Sequence, residues 1–362
     1  MLTTSGRSAI ALALDQLNIS TGDEVLLPAY HCAAMRAPIE ACGAVPVFYR
    51  LDRNLDIDLA DLEARLTKRS RCVMTVHFFG FPQDHVSVRR LCDTYGLKLI
   101  EDCAHAFYGP AESHVGRSGD FAVGSLMKFF PVFDGGCLIS FRHAFERPTL
   151  SSRGLLFQLK ALVNILELAA TWGDSRVTRW VATLFSRAVT VAKALRPGLT
   201  RELADSSPAA AQGSLGFQKD WVYARMSAPS RLVLRLANHG QSIARRRSIY
   251  AQYASGLAAV SGGHPLRSDL PEGVVPYVFP FVLDMPERSF QALRAAGVPI
   301  YRWEDVEESC ATARHYKTRL VQFPCHQSLE EREVVELIHT IREVLETSSI
   351  PEPPRLASAI AQ

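Results

Sequence analysis

Short apolar segments alternate with helix-forming ones through the first third of the 362-residue chain. Each apolar segment has five or six residues, and the segments are 24–28, 45–49, 72–77 and 97–102. Residues 8–17 and 86–95 carry helix formers and lack both Gly and Pro. This alternation predicts an α/β fold in which helices flank a mostly parallel central sheet.

Polar groups follow three of the predicted strands. The Pro28–Cys32 loop, His77 and Asp102 each stand where an apolar segment ends. In a parallel sheet the carboxyl ends of the strands share one edge, and ligands bind beyond that edge. We therefore expect these groups to contribute to one shared site.

Lys128 lies in an apolar setting that a surface lysine does not need. Met127 precedes it, and Phe129, Phe130 and Phe133 follow within five residues. Burial of an unpaired ammonium is costly, so such a lysine calls for a chemical reason. An amine held among apolar side chains is a candidate nucleophile for Schiff-base chemistry.

Other residues supply what a pyridoxal phosphate cofactor needs besides a lysine. Asp102 lies 26 residues before Lys128 and offers a carboxylate for a protonated ring nitrogen. Ser125 offers a hydroxyl to a phosphate. Gly6, Arg7 and Ser8 open a predicted helix, whose first N–H groups bind anions. The order of these pieces along one chain predicts a site for this cofactor.

The same segments resemble the DegT/StrS-type sugar aminotransferases, which are fold type I pyridoxal-phosphate enzymes. The segments that carry the resemblance are SGRSAIALAL (5–14), GDEVLLPAYHC (22–32), VHFFGFPQD (76–84), EDCAHA (101–106), GDFAVGSLMKFFPVFDGG (119–136), GVPIYRW (297–303) and FPCHQSL (323–329). The resemblance covers most of the chain except residues 141–220. It implies the PLP-dependent transferase fold type I and a homodimer with sites at the subunit interface.

The resemblance also implies roles for single residues. Lys128 corresponds to the Schiff-base lysine and Asp102 to the carboxylate on the pyridine nitrogen, and His105 falls beside the cofactor. Ser125 together with Gly6, Arg7 and Ser8 corresponds to the phosphate site. The family's stacking aromatic falls on Cys32 here, so the stacking role passes to Tyr30 or His31.

Two further departures from the family pattern concern the phosphate site. Many members place a serine five residues before the lysine, whereas Ser125 is three residues before Lys128. The asparagine loop that reaches the partner's phosphate is not recognisable before Met226-Ser227. The chain also begins close to the phosphate loop, without the longer arm usual in the family.

The resemblance implies transfer of an amino group from an amino acid, glutamate by analogy, to a keto sugar. A nucleotide-linked sugar destined for a polysaccharide or glycoside is the expected acceptor. One alternative is a PLP/PMP-dependent sugar dehydratase, in which histidine replaces the lysine, and Lys128 argues against it. The other is a degenerate, non-catalytic member acting as a binding or membrane-associated subunit.

Composition shifts divide the chain into four predicted parts. They are a large PLP-binding domain at 1–150, a basic helical insertion and linker at 151–220, a smaller α+β domain at 221–350 and a tail at 351–362. The third part is expected to open with one long helix at 229–257. Its Arg245–Arg247 run is interpreted as a solvated helix face.

Charge is concentrated in the insertion. The whole chain has 40 basic and 37 acidic residues, a balance that does not indicate nucleic acid binding. Between 153 and 201 there are eight Lys and Arg residues against two acidic ones. This segment either packs on its own domain or dimer partner, or contacts an anionic membrane surface.

Localisation rests on three sequence features. No secretory signal and no apolar run of about 20 residues is present. The eight cysteines include no CxxC pair, so no metal site of that spacing is expected. A cytoplasmic protein is expected, with peripheral contact at the inner face of the membrane as the alternative for segment 153–201.

Overall fold

A computed structural model describes residues 1–106, 115–142, 144–172, 183, 217–303 and 306–348. Its strands are β1 Leu2–Thr3, β2 Glu24–Pro28, β3 Val45–Tyr49, β4 Ser70–Val76, β5 Lys98–Asp102, β6 Phe121–Ser125, β7 Gly136–Ile139, β8 Gly263–Pro265, β9 Val278–Leu283 and β10 Leu320–Pro324. Its α-helices are α1 Gly6–Gln16, α2 Ala33–Ala41, α3 Leu59–Ala64, α4 His85–Tyr95, α5 Gly154–Trp172, α6 Ala228–Leu236, α7 His239–Gly256, α8 Pro286–Ala295, α9 Ala311–Arg319 and α10 Glu331–Ser348.

The large sheet has seven strands in the order β1-β7-β6-β5-β4-β2-β3. Strands β2 to β6 pair in parallel, whereas β7 and β1 add an antiparallel edge. All of β2 and all but one residue of β4 are buried, which is expected where helices cover both faces of a parallel sheet. The mostly parallel sheet predicted from the sequence is therefore confirmed.

A second, antiparallel sheet of three strands has the order β10-β9-β8. Helices α8, α9 and α10 and the end of α7 pack around it. Its core is aromatic: the Tyr253 ring stacks on Phe279 at 5.2 Å, and Phe281 meets Phe323 at 5.6 Å. This sheet lies within the region where the sequence predicts a smaller α+β unit.

The long helix predicted at 229–257 is in fact two helices, α6 and α7. The chain is extended at Ala237, and the Asn238 side chain accepts a hydrogen bond from the backbone N–H of Gln241. An asparagine at this position starts a new helix because it satisfies one of its free N–H groups. Between α8 and α9, Tyr301 forms a single antiparallel bridge with Gln322 of β10.

The insertion is described only as far as α5. Phe157 and Ala161 are fully buried and belong to a small core with Phe133 and Trp221. The outer side of α5 exposes four leucines, Leu155, Leu156, Leu159 and Leu162. Apart from Thr183, residues 173–216 of the predicted insertion and linker lie outside the described residues, as does the predicted tail at 351–362.

Within the described part of the chain, no helix is both long enough and apolar enough to cross a membrane.

Candidate active site

A cavity of about 190 Å³ lies at the carboxyl edge of the large sheet. It is bordered by the loop after β5, the turn after β6, the start of α1 and the start of α2. Six of the residues predicted from the sequence line it: Gly6, Arg7, Ser8, Asp102, Ser125 and Lys128. Of the groups expected to share one site, Asp102 and Cys32 line this cavity, whereas His77 does not.

One end of the cavity is the first turn of α1. Ser5 caps this helix, since its Oγ accepts a hydrogen bond of 3.2 Å from the Ser8 N–H. The Ser8 hydroxyl in turn donates to the carbonyl of Trp221 at 3.1 Å. Burial lowers the pKa of Arg7, whose side chain lines the cavity. A helix start with an arginine beside it favours an anion at this end.

Ser125 faces the same helix start. A Cβ built on Gly6 would lie 3.5 Å from the Ser125 Cβ, so the two backbones approach closely. The 3₁₀ turn Leu126–Lys128 begins immediately after Ser125. The spacing of three residues to Lys128 therefore still leaves Ser125 beside the first turn of α1.

Asp102 is the last residue of β5 and is only 6% exposed. One of its carboxylate oxygens accepts a hydrogen bond of 2.8 Å from the Ala104 N–H. Burial raises the pKa of Asp102, and the charge of Lys128 acts in the opposite direction. A cationic partner inside the cavity would therefore stabilise the ionised form of this buried carboxylate.

Lys128 lies between this cavity and a second, wider one. Its Nζ is 5.5 Å from the centre of the Tyr277 ring, within the range of a cation–π contact. Its backbone carbonyl accepts a bond of 3.3 Å from Nη2 of Arg246. Lys128 thus shares the first cavity with Asp102 and Cys32, while its backbone carbonyl is held by Arg246 of α7.

His105 does not line the cavity. Its ring is stacked between Phe79, at 5.7 Å, and Tyr277, at 4.6 Å. Its Nδ1 accepts a hydrogen bond from the Phe79 N–H, so the neutral ring carries its proton on Nε2. Burial lowers the pKa of His105 well below its usual range. The structure therefore places a neutral histidine behind Tyr277.

Tyr30 and His31 are also placed away from the cavity, contrary to the expected stacking role. The Tyr30 ring stacks on Trp303 at 4.9 Å, and His31 stacks on Phe48 at 4.7 Å. His31 Nδ1 also lies 3.1 Å from the carbonyl oxygen of Ala29. These apolar partners hold both rings inward, and Cys32 is the residue of this loop that lines the cavity.

His77, which also follows a strand, belongs to a separate buried pair. Its Nδ1 accepts from the Gln83 N–H, so Nε2 donates to Glu101 at 2.9 Å. Burial alone would raise the pKa of Glu101, but bonds from His77 and from the N–H groups of Gly116 and Gly119 outweigh it and lower the pKa. Neighbouring residues of a strand face opposite sides of the sheet, so Glu101 points away from Asp102.

Arg246 corrects the interpretation of Arg245–Arg247 as a solvated face. It is 1% exposed, and its Nη1 donates to the carbonyls of Pro276, Tyr277 and Cys325 at 2.9–3.1 Å. Its guanidinium also lies 4.6 Å from the centre of the Phe129 ring. Nothing in a run of three arginines marks the middle one, so sequence reasoning missed it.

The sequence also provides no indication of one further wall of the cavity. It is formed by Phe217, Gln218 and Trp221, which stand at the end of the predicted insertion and linker, more than 200 residues after α1 begins. No motif or periodicity identifies them.

Comparison with known proteins agrees with this arrangement. A 142-residue stretch is 37% identical to GDP-perosamine synthase of Vibrio cholerae and covers 38% of each chain. A 151-residue stretch is 35% identical to UDP-N-acetyl-3-dehydro-α-D-glucosamine 3-aminotransferase of Acidithiobacillus ferrooxidans and covers 40% of each chain. The match therefore spans about two fifths of the length of these relatives.

Solved structures match over nearly the whole chain. The aminotransferase TlmJ from Streptoalloteichus hindustanus has a TM-score of 0.65 at 22% identity and covers 97% of this chain and 86% of its own. DesV of S. venezuelae, solved in complex with a ketimine intermediate, has a TM-score of 0.64 at 20% identity, with 96% and 84% covered.

The fold is accordingly that of the fold type I PLP-dependent transferases, as the sequence resemblance implied. Residues 1–147 match the model of the DegT/DnrJ/EryC1/StrS aminotransferase family. The residues around the cavity fit pyridoxal phosphate, since an anion site and a buried carboxylate accompany a lysine amine in one cavity.

Proposed function

We propose that the protein is a pyridoxal-phosphate-dependent aminotransferase that moves an amino group from an amino acid to a keto sugar. One observation carries the proposal: a single cavity is lined by the first turn of α1, Asp102 and Lys128. Aminotransferase names among the relatives support the reaction class.

The cofactor, when bound, supplies an electron-withdrawing ring that stabilises negative charge on the substrate carbon. The N–H groups of Gly6 and Arg7, with the Arg7 guanidinium and the Ser125 hydroxyl, hold the phosphate. The Asp102 carboxylate keeps a proton on the ring nitrogen, and the positive charge of that nitrogen in turn favours the ionised form of Asp102.

Lys128 acts as the acid and base of the reaction. With the cofactor bound, its amine would accept the proton that leaves the substrate carbon and would later give a proton back. The surrounding apolar side chains exclude water, and Arg246 fixes the backbone from which the amine reaches. Because His105 is neutral and lies behind Tyr277, we assign it the positioning of that ring rather than a proton transfer.

The substrates are proposed by analogy. The relatives include a GDP-perosamine synthase and an aminotransferase of a UDP-linked sugar, so a nucleotide-linked keto sugar is the proposed acceptor. Glutamate is the proposed donor. Products of this kind suit the synthesis of a surface polysaccharide or glycoside.

Borohydride reduction followed by peptide mapping tests the function. We expect the purified protein to bind the cofactor with a visible chromophore and to carry a pyridoxyl group on Lys128 after reduction. We also expect glutamate to change the chromophore, and a keto-sugar nucleotide to restore it. Bound cofactor without a lysine adduct would favour the dehydratase, and no chromophore with added cofactor would favour a non-catalytic subunit.

A cytoplasmic homodimer is the proposed assembly. The described half of segment 153–201 supports packing on its own domain, because Phe157 and Ala161 of α5 are buried there. The exposed leucines of α5 remain available to a partner subunit or to the inner face of the membrane. Flotation with anionic liposomes distinguishes contact with a partner subunit from contact with the membrane. The intact protein is compared with a 153–201 deletion, and equal recovery of the two in the soluble fraction contradicts membrane contact.

A further inference from the structure

A second cavity of about 590 Å³ opens from the other side of Lys128. It shares Ser125, Met127 and Lys128 with the first cavity. Since the cofactor fills the first cavity in the proposed function, a substrate can bring its reacting atom to Lys128 through the second. The structure therefore offers a separate place for the substrate.

The described lining of the second cavity carries two cationic side chains, Lys128 and Arg246. Its described lining contains no Asp or Glu, and it includes the rings of Tyr277 and Tyr301. Burial, followed by the charge of Arg246, lowers the pKa of His326, so this ring is neutral near pH 7. The Arg246 Nη1 and Nε groups already donate to protein oxygens.

Aromatic faces and amides suit a neutral, hydroxyl-rich ring better than a dicarboxylate. The C–H faces of a sugar pack on aromatic rings, and its hydroxyls need hydrogen-bond partners when they are desolvated. A carboxylate would instead require an arginine with free donors. The second cavity thus fits the sugar acceptor.

Gln322 on β10 is the polar group of this wall that lacks a partner. It is only 4% exposed, and its Nε2 is buried and donates no hydrogen bond to any described residue. Gln327 is different, because its Oε1 accepts from Arg246 and its Nε2 donates to the Phe129 carbonyl at 2.7 Å. A buried donor left unpaired is costly, and a bound ligand is one way to satisfy it.

We propose that the Gln322 side-chain amide donates a hydrogen bond to an oxygen of the acceptor sugar, and that Gln322 is a specificity-determining residue. This rests on the proposed function and assigns the second cavity to the acceptor. A site that hydrogen-bonds a substrate oxygen strongly rejects analogues that lack it. Gln322 therefore selects among sugars without touching the cofactor.

The test uses Gln322→Met, which keeps the side-chain length and removes the amide. Gln291→Met is the control, because Gln291 is exposed on α8. In the cofactor-loaded protein, fluorescence titration with UDP-N-acetylglucosamine and GDP-mannose should give a Kd about tenfold weaker for Gln322→Met. Binding of UDP or GDP alone should match the control.

A second readout separates a binding role from a packing defect. Without ligand, Gln322→Met should melt about 2 °C higher than wild type, because the cost of the unpaired donor is removed. In turnover, the KM for a keto-sugar nucleotide should rise about tenfold. The acceptor half-reaction should lose efficiency, whereas the rate of the donor half-reaction should be unchanged.

The proposal is overturned if Gln322→Met binds the sugar nucleotides as wild type does, if wild type binds neither probe, or if both half-reactions slow equally. Failure of glutamate to change the wild-type chromophore is a different result. It contradicts the proposed function, while the fluorescence titration still decides whether Gln322 contacts a sugar.

Discussion

Replacement of Arg246 by methionine should destabilise the protein strongly, because this guanidinium joins the two sheets. The substitution leaves the carbonyls of Pro276, Tyr277 and Cys325 without a donor that lies 2.9–3.1 Å away. A hydrogen bond to a charged group contributes about 1.5–3 kcal/mol, and methionine recovers part of the packing against Phe129. We therefore expect the free energy of unfolding to fall by about 4 kcal/mol.

Urea unfolding followed by circular dichroism measures this loss on the cofactor-free protein. Arg235→Met is the matched control, since Arg235 is exposed on α6 and its replacement should cost less than about 0.5 kcal/mol. Arg246→Lys should lie between the two, because it keeps the charge but not the fork of donors. A loss below about 1 kcal/mol for Arg246→Met would show that the carbonyls do not depend on this guanidinium.

Three further outcomes are expected. Gly136→Ala should weaken cofactor binding in equilibrium dialysis and destabilise the fold by about 1–3 kcal/mol, because the added Cβ would lie 2.2 Å from the Ser5 carbonyl oxygen. Gly240→Ala is the control, because the nearest atom to its added Cβ would be 4.0 Å away, and it should change neither quantity. Asp102→Asn should slow the donor half-reaction about 10²–10³-fold in stopped-flow absorbance, and a rate within threefold of wild type would contradict its role. The pKa of Glu101 is lowered in the folded state, so the ionised carboxylate stabilises the fold above pH 4.5, its ordinary pKa, and this stabilisation is lost as the pH falls further. Wild type should therefore lose melting temperature between about pH 5 and 3, and Glu101→Gln should lose less over the same range. Parallel curves of melting temperature against pH for the two proteins would refute this.

The strands and the strand-end residues could be predicted because their signal is local. Apolar runs defined β2, β3 and β5 almost to the residue, and a parallel sheet necessarily brings their carboxyl ends together. Lys128 stood out because burying an unpaired ammonium among phenylalanines is costly unless the residue has a chemical role. These inferences require only a few neighbouring residues.

The remainder depends on contacts between distant segments. Tyr30 and His31 turn inward because Trp303 and Phe48 lie beside them, and no pattern in the loop fixes that direction. Arg246 differs from its neighbours only in what surrounds it. Trp221 reaches the cavity after an insertion whose path the sequence does not indicate.

The bond between the Ser8 hydroxyl and the Trp221 carbonyl joins residues 213 positions apart. Contacts of such sequence separation form late, because closing a long loop costs entropy before the contact repays it. During synthesis, α1 and Lys128 are made well before Phe217 and Trp221, which complete the wall of the cavity. We therefore expect completion of the cavity to be a late folding event that precedes tight retention of the cofactor.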